Sequence, residues 1–248
     1  MDTVAQSSSG AKWKRVVLKL SGEALASSSS DEVIDAKVLE QVASEIVEAT
    51  QVLKVEMAVV VGGGNIWRGG VGAGAKLERA TSDNMGMLAT TINALALQNA
   101  IEKMGQPTRV QSAIVMAELA EPYIRRRAIR QLENGIVVIF AAGTGSPYFT
   151  TDTAAALRCA EIDAQIVLKG THSGIDGIYT ADPKVYPDAV KYDTLSFMDV
   201  VSKDLKVMDL TAITFCKDND LPVHVFDLMQ PGNILRALRG EFLGTLVS

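Results

Sequence analysis

Short runs, most of them largely apolar, alternate along this chain with stretches in which apolar residues recur every three to four positions. The runs are rich in β-branched residues and predict strands at 14–20, 55–61, 108–113, 136–142 and 164–169. The other stretches predict helices after Asp35 and over 81–105, 121–135, 151–162, 196–204 and 209–219. Strands that alternate with helices predict an α/β fold, with a mostly parallel sheet that is covered by helices on both faces.

Several helix ends carry local signals. Asp35 directly precedes apolar residues at spacing four and is expected to cap that helix. Pro122 stands at the predicted start of 121–135 and Gly135 just past its end, an arrangement typical of helix termini. A cap is also expected at the start of 81–105.

Glycine-rich loops follow four of the predicted strands, and they are formed by Gly22, Gly62–Gly64, Gly143 with Gly145, and Gly170 with Gly174. Sheets of this kind bind ligands at the carboxyl ends of their strands. Glycine amides can approach anionic oxygens closely because no Cβ intervenes. Four such loops on one rim predict a groove for an extended, phosphate-bearing ligand.

Three common nucleotide motifs are absent. No Gly-Lys pair occurs, so the P-loop is excluded. Trp67 occupies the position of the last glycine in a dinucleotide fingerprint that would start at Gly62. The His-Arg-Asp and Asp-Phe-Gly signatures of protein kinases are missing as well.

Charged and hydroxyl side chains stand beside the glycine loops. Lys19 ends the first strand, Arg68 follows the glycine triplet, and Asp152 opens a helix after the hydroxyl- and ring-bearing segment 144–151. Arg68 can donate a charged fork to a phosphate, or it can be a surface arginine beside a tight turn. Part of 144–151 can equally be ordinary helix capping by Thr150 or Thr151.

The composition of the chain excludes several further classes of protein function. The chain has 248 residues, 48% of them hydrophobic, which is enough for a core in one domain or a closely joined pair. A net charge of −5 argues against generic nucleic-acid binding. Cys159 and Cys216 are expected to be reduced core residues, and two histidines argue against a histidine-based metal site. No run reaches membrane-spanning length, and residues 1–10 lack the features of a secretory signal.

Six motifs, taken together and in order, resemble the bacterial and plastid type of uridylate (UMP) kinase within the amino-acid-kinase family. They are KLSGEAL, VVVGGGNIWRG, SDNMGMLAT, AGTGSPYFTTDTAAALR, DGIYTADP and KVMDLTA. The resemblance extends over about residues 14–247. It implies a three-layer α/β/α sandwich that forms a single domain over 14–248. The composition of the N-terminal residues indicates a disordered tail at 1–13. UMP would lie over the N-terminal half and ATP over the C-terminal half, and Mg²⁺ would accompany the transfer of the γ-phosphoryl group to UMP.

The same resemblance implies residue roles. Catalytic roles fall to Lys19, Arg68 and Asp152. ATP contacts fall to Lys19, Leu20, Ser21, Gly22, Gly64, Arg68, Thr171, Tyr179 and Asp182. UMP contacts fall to Gly63, Asp83, Thr144, Gly145, Ser146, Pro147, Tyr148, Phe149, Thr150 and Thr151. No metal ligand is assigned to the protein.

The resemblance also implies a homohexamer with GTP or UTP as an effector, in the cytoplasm or, for a eukaryotic source, the plastid stroma. Neither a membrane nor a nucleic acid is expected as a partner. The arginines on 121–135 are interpreted as a solvated or subunit-interface face, with phosphate or nucleic-acid contact as the alternatives.

Three departures from the family pattern bear on these roles. ASSSSDEVID stands where many relatives have a glycine-rich loop, KGTHSGIDGIY is about two residues longer than usual, and Gln165 stands where some relatives have an acid. Two other functions stay open on the residues: a kinase of the same family with a carboxylate or carbamate acceptor, and a non-enzymatic oxyanion or nucleotide binder.

Overall fold

The computed structural model describes residues 10–26, 32–69, 76–172 and 174–248. The strands are β1 Arg15–Leu20, β2 Glu56–Val61, β3 Thr108–Ser112, β4 Glu121–Pro122, β5 Val137–Ala141, β6 Val167–Thr171, β7 Ile178–Tyr179, β8 Lys191–Tyr192, β9 Thr194–Leu195, β10 Val223–Asp227 and β11 Thr245–Val247. The helices are α1 Ala36–Gln51, α2 Arg79–Lys103, α3 Arg125–Glu133, α4 Thr151–Glu161, α5 Phe197–Ser202, α6 Leu210–Asp218 and α7 Asn233–Arg239, with a 3₁₀ turn at Gly22–Leu25.

Within the described residues, nine strands form one sheet in the order β4-β3-β5-β2-β1-β6-β10-β11-β9. Neighbouring strands are parallel except for β10 and β11, which confirms the mostly parallel sheet. β7 and β8 form a separate antiparallel pair. The four strands that precede the glycine loops, β5, β2, β1 and β6, are consecutive in the sheet, so the loops meet at one rim.

Two apolar clusters fill the two sides of the sheet. Val16, Leu18 and Leu20 of β1 pack in the cluster that includes α1 and α7, whereas Val17 packs in the cluster that includes α4 and α6. Since side chains alternate along a strand, Lys19 lies on the same side as Val17. Asp152, in the first turn of α4, lies on that same side, so alternation in β1 brings these two side chains together.

Local expectations are met at several helix ends. Asp35 Oδ1 accepts hydrogen bonds from the backbone N–H of Lys37 at 2.8 Å and of Val38 at 3.3 Å, which confirms the predicted cap of α1. Cys159 and Cys216 are buried free thiols, also as expected. Within the described residues, every helix is too short or too polar to span a lipid bilayer.

Three boundaries differ from the prediction. α2 begins at Arg79 rather than at a cap near 81, and its N-cap residue Glu78 makes no side-chain capping bond. Pro122 does not start a helix: it pairs in β4 at the sheet edge, where a missing N–H is tolerated, and α3 begins at Arg125. β6 runs over Val167–Thr171 rather than 164–169.

The N-terminal boundary also lies earlier than expected. Ala11 is buried in the core, and the Lys12 N–H donates to the Leu238 carbonyl at 2.8 Å. The packed chain therefore includes residues before 14. The remainder of the predicted tail, residues 1–9, lies outside the described residues.

Replacing Glu45 by alanine is expected to lower the free energy of unfolding by about 2 kcal/mol, since two N–H groups at the start of α7 would lose their acceptor. Glu45 is a buried residue of α1, and its carboxylate accepts from Gly232 N at 2.8 Å and Ile234 N at 3.0 Å. Urea denaturation measures the change. Glu48→Ala, at an exposed position of the same helix, is the matched control with an expected change below about 0.5 kcal/mol. Equal effects of the two variants would contradict this role of Glu45.

Candidate active site

The loops after β1 and β2 touch backbone to backbone, and glycine makes that approach possible. A Cβ on Gly22 would lie 2.5 Å from Gly64 N, and a Cβ on Gly62 would lie 2.7 Å from Gly22 N. A Cβ on Gly63 would lie 2.8 Å from both Ala89 Cβ and the Gly86 carbonyl on α2. A side chain at any of these positions would push the loops apart, so the glycines fix the shape of the rim.

α2 holds two of the rim loops through buried polar side chains. Asn93 Nδ2 donates to the Gly62 carbonyl at 2.8 Å and to Asn65 Oδ1 at 2.7 Å. Thr90 Oγ1 accepts from Ala142 N at 2.7 Å, where the chain leaves β5 with a positive φ of 63°. Both side chains are buried, which is the expected state of a polar group whose hydrogen bonds are satisfied.

Two cavities lie along this rim. The first, of about 380 Å³, is bounded by the loops after β1, β2 and β5 and by α2. The second, of about 810 Å³, lies beside β6, the β7–β8 pair and the loop before α6. Lys19, Ser21 and Glu23 line both cavities, so the two spaces meet at the end of β1.

The structure brings most of the predicted site residues to these cavities. The first is lined by Lys19, Ser21, Gly22, Gly63, Gly64, Arg68, Asp83, Thr144, Phe149, Thr150 and Thr151. The second is lined by Lys19, Ser21, Thr171, Tyr179 and Asp182.

Six predicted residues line neither cavity: Leu20, Gly145, Ser146, Pro147, Tyr148 and Asp152, the last of which is buried against Lys19 and Lys169. Leu20 is fully buried in the core, because alternation turns its side chain away from that of Lys19. Gly145 packs against Ala113, and Tyr148 is 66% exposed. In this structure their side chains do not reach the cavities.

A buried cluster of two lysines and one carboxylate lies where the cavities meet. Lys19 and Lys169 are paired in the register of β1 and β6, so their side chains leave the sheet side by side. Lys19 Nζ lies 2.8 Å from Asp152 Oδ1, and Lys169 Nζ lies 2.6 Å from Asp152 Oδ2. These side chains are 8%, 14% and 13% exposed for Lys19, Lys169 and Asp152. The cluster therefore carries an excess positive charge away from solvent.

Electrostatics fix the charge state of the carboxylate. Burial alone would raise the pKa of Asp152, but the charges of Lys19 and Lys169 outweigh it and hold that pKa below its usual value. Burial lowers the pKa of Lys169, Asp152 opposes that shift, and the like charge of Lys19 adds to it. The two lysines thus favour the anionic form of Asp152, whose two oxygens hold both lysine side chains at one point.

α4 is anchored by both capping and a tertiary contact. Thr150 Oγ1 accepts from Asp152 N at 3.1 Å, as the capping interpretation expects, and donates to Asp209 at the start of α6. Asp209 also accepts from Thr153 Oγ1 at 3.0 Å and from Ala212 N at 2.9 Å. The helix that carries Asp152 is therefore fixed to α6, and the hydroxyl of Thr150 is already used within the protein.

Asp83 connects α2 with the segment after β5. Its carboxylate accepts from Arg79 Nε at 2.9 and 2.8 Å and from Tyr148 N at 2.8 Å. Tyr148 has a positive φ of 74°, which the contact with Asp83 helps to hold. Asp83 thus shapes one wall of the first cavity as well as lining it.

Arg68 does not extend freely from the glycine loop. Its Nε and Nη2 donate to Glu23 Oε1 at 2.8 and 2.6 Å, and Ser21 Oγ donates to Glu23 Oε2 at 2.7 Å. Ser21 Oγ also lies 3.3 Å from His172 Nδ1. This series of contacts runs from the first cavity to the second.

The second cavity has polar groups along one wall. Tyr179 OH donates to Asp176 Oδ1 at 2.5 Å, and this hydrogen bond, with burial, raises the pKa of Tyr179 to about 12. Asp182 Oδ1 accepts from Lys184 N at 2.9 Å. The Thr171 hydroxyl lies within hydrogen-bond distance of the carbonyls of Ile175 and Phe226, the latter at 2.9 Å, so its single proton is donated within the protein. Among the described residues, no group of three or more His, Cys, Asp or Glu side chains could hold a metal ion.

Sequence reasoning missed four residues that build this site: Glu23, Thr90, Asn93 and Lys169. The sequence does point to Lys169, since it stands at the end of an apolar strand and directly before a glycine. Lys19 has a similar position, at the end of the first strand and two residues before Ser21. Thr90 and Asn93 are polar positions within an otherwise apolar helical stretch.

The amino acid kinase family model matches residues 14–227 of the chain. The chain is 57% identical over 237 residues to PUMPKIN, a chloroplastic uridylate kinase of Arabidopsis thaliana, a match that covers 95% of this chain and 69% of that protein. Its structure is similar to that of the UMP kinase of Bacillus anthracis, with a TM-score of 0.90, 39% identity and coverage of 95% and 96% of the two chains. The UMP kinase of Ureaplasma parvum gives a TM-score of 0.89, 38% identity and coverage of 95% and 98%.

Proposed function

Because this chain belongs to the amino acid kinase family, we propose that it is a UMP kinase, which transfers the γ-phosphoryl group of ATP to UMP and releases UDP and ADP. The observation that carries the proposal is the meeting of two cavities at Lys19, above a buried Lys19–Asp152–Lys169 cluster. UMP occupies the first cavity and ATP the second, so that the phosphoryl group crosses at their junction.

The reaction requires little from the protein beyond position and charge. An oxygen of the UMP phosphate forms a bond with Pγ of ATP, the bond between Pγ and the β,γ-bridging oxygen breaks, and ADP leaves with that electron pair. The attacking oxygen is already anionic, so no general base is needed. Lys19 and Lys169 neutralise charge on the transferring group, and Asp152 fixes both ammonium groups in place before the substrates bind.

Mg²⁺ is proposed as the accompanying cation. The carboxylates at the junction are Asp152 and Glu23, and each is already ion-paired within the protein. Such a donor set fits Mg²⁺ that is held mainly by phosphate oxygens and water, as is usual for this ion. When bound, Mg²⁺ would neutralise charge on the ATP phosphates.

A coupled assay of ADP release tests the proposed function. We expect ADP release with UMP as acceptor and none with CMP, acetylglutamate or aspartate. Release with acetylglutamate or aspartate would indicate a family member with a carboxylate acceptor. A folded protein that releases no ADP with any acceptor in the presence of Mg²⁺ would be a binder rather than an enzyme, and the proposal would be wrong.

Asp83→Asn is expected to raise KM for UMP about tenfold or more, with KM for ATP within about twofold of the original value. Asp83 lines only the UMP cavity, is proposed to contact the ribose, and holds Tyr148 beside that cavity. Initial rates at varied UMP and varied ATP give the two constants. Asp182→Asn, in the ATP cavity, is the matched control and should raise KM for ATP alone. Equal weakening of both substrates in Asp83→Asn would contradict the ribose contact.

The proposed assembly is a homohexamer. Met85, Leu88 and Ile92 are exposed apolar residues of α2 at spacings of three and four, so they lie on one side of that helix. An exposed apolar stripe of this kind fits a subunit contact. Light scattering after size-exclusion chromatography tests the assembly, and steady-state rates with added GTP or UTP test the predicted effector.

The compartment that we propose is the plastid stroma. The support is the 57% identity to a relative whose name describes it as chloroplastic. A fluorescent fusion of the full-length protein in plant cells would show plastid fluorescence, and exclusion from plastids would contradict the proposal.

A further inference from the structure

Glu23 places a negative charge where two anionic substrates are proposed to meet. It lines both cavities, together with Lys19 and Ser21. A carboxylate at this point repels phosphate unless its charge is compensated. Its presence therefore requires a local reason.

The carboxylate is compensated by contacts on both of its oxygens. Oε1 accepts from Arg68 Nε at 2.8 Å and from Arg68 Nη2 at 2.6 Å, while Oε2 accepts from Ser21 Oγ at 2.7 Å. Burial would raise the pKa of Glu23, but the hydrogen bonds from Ser21, its own backbone and Arg68 outweigh it and lower the pKa to about 2. Glu23 is thus ionised throughout the working range of an enzyme.

The backbone at Gly64 leaves space for this carboxylate because it carries no side chain. A Cβ on Gly64 would lie 2.2 Å from Glu23 Oε1 and 2.6 Å from its Cδ. The carboxylate therefore lies directly against the glycine backbone of the loop that carries Arg68. The glycine triplet serves two purposes at once, since it brings the loops together and admits the partner of Arg68.

The hydrogen bonds also define the neighbouring histidine. The single proton of the Ser21 hydroxyl is donated to Glu23, so at 3.3 Å the Ser21 oxygen accepts and His172 Nδ1 donates. Burial lowers the pKa of His172, which favours the neutral ring. On the ATP side, His172 contacts Ser21, which in turn contacts Glu23. On the UMP side, Arg68 contacts Glu23 directly.

We propose that Glu23 is a positioning residue for phosphoryl transfer, which holds the guanidinium of Arg68 by Nε and Nη2 so that Nη1 is presented to substrate phosphate. This role rests on the proposed function. Within the described residues, Nη1 of Arg68 has no hydrogen-bond acceptor, which leaves it available to a ligand. The Arg68 side chain is 58% exposed, so its ion pair with Glu23 contributes little to the free energy of folding. We therefore expect loss of this ion pair to change the kinetic constants rather than the stability.

A double-mutant cycle tests the proposal on kcat/KM for UMP. Glu23→Gln keeps the shape of the side chain but removes its negative charge, and a donor-only amide nitrogen replaces one of the two oxygens that accept from Ser21 and Arg68. We expect Glu23→Gln to lower kcat/KM about tenfold and Arg68→Ala at least tenfold, since each removes a charge-assisted contact or its alignment. If Glu23 acts through Arg68, the double variant will match Arg68→Ala within about twofold.

Controls and opposing outcomes are defined by the same cycle. Glu241→Gln, which removes a carboxylate paired with Arg236 on the surface, should leave kcat/KM within about twofold. Independent, multiplying effects of Glu23→Gln and Arg68→Ala would overturn the positioning role, as would an unchanged kcat/KM in Glu23→Gln. A wild-type protein without UMP-dependent turnover would instead refute the proposed function, so the two failures are distinguishable.

Discussion

Lys19→Met is expected to lower kcat by about 10² to 10³, the loss that follows removal of a single aligned electrostatic group from an active site. Lys19 lines both cavities and lies 2.8 Å from Asp152, so its ammonium group stands at the proposed point of transfer. Methionine retains an apolar stem of similar length, and it leaves one lysine paired with one carboxylate. Stability should therefore stay within about 1 kcal/mol of the original, and the loss should appear in steady-state kcat.

The control for this variant is Lys217→Met, which removes an exposed lysine of α6 that pairs with Asp218. Its kcat should lie within about twofold of the wild-type value. A fall of less than tenfold in Lys19→Met, with the protein folded, would remove Lys19 from the transfer step.

Asp152→Asn is expected to lower the free energy of unfolding by about 3 kcal/mol, because it leaves two buried ammonium groups without their counter-ion. For a chain of this size, the corresponding fall in Tm is about 6–12 °C. Asp163→Asn is the matched control, since it removes a carboxylate from an exposed ion pair with Arg125 and should change stability by less than about 0.5 kcal/mol. Equal Tm values for the two variants would contradict the buried cluster.

The stability of Asp152→Asn should also depend on pH with a defined sign. Burial and the charge of Lys19 lower the pKa of Lys169, and the variant loses the opposing effect of Asp152. The folded variant then binds fewer protons than the unfolded chain, so its stability rises as pH increases through the lowered pKa. In the wild type, the lowered pKa of Asp152 instead affects stability at acidic pH. Its contribution is present above the pKa of an unfolded aspartate and is lost as pH falls through the folded value. Urea denaturation of both proteins from pH 3 to pH 10 measures the two slopes.

The sequence predicted those parts of the fold that depend on strong local patterns. β2 and β5 are almost wholly apolar, and β1 is apolar apart from Arg15 and Lys19, because helices cover both faces of the sheet. This pattern can be recognised from the sequence alone. The meeting of the glycine loops at one rim follows from the parallel sheet. The cap at Asp35 follows from one residue and the spacing after it.

The remainder depends on contacts that no local pattern records. β7, β8 and β9 have two residues each, too few to show a periodicity. A proline such as Pro122 is compatible both with the start of a helix and with an edge strand, and only its pairing with β3 shows that it lies in a strand. In the site, the pairing of Lys19 with Lys169 is a matter of strand register, and the pairing of Arg68 with Glu23 joins residues 45 positions apart.

Transfer of ³²P from [γ-³²P]ATP to UMP, measured with the wild type and Lys19→Met at saturating substrates and Mg²⁺, tests the central claim most directly. We predict labelled UDP from the wild type, and formation at least about a hundredfold slower in a variant that still binds both substrates. The absence of label in UDP with the wild type, or equal rates for the two proteins, would contradict phosphoryl transfer at the junction of the two cavities.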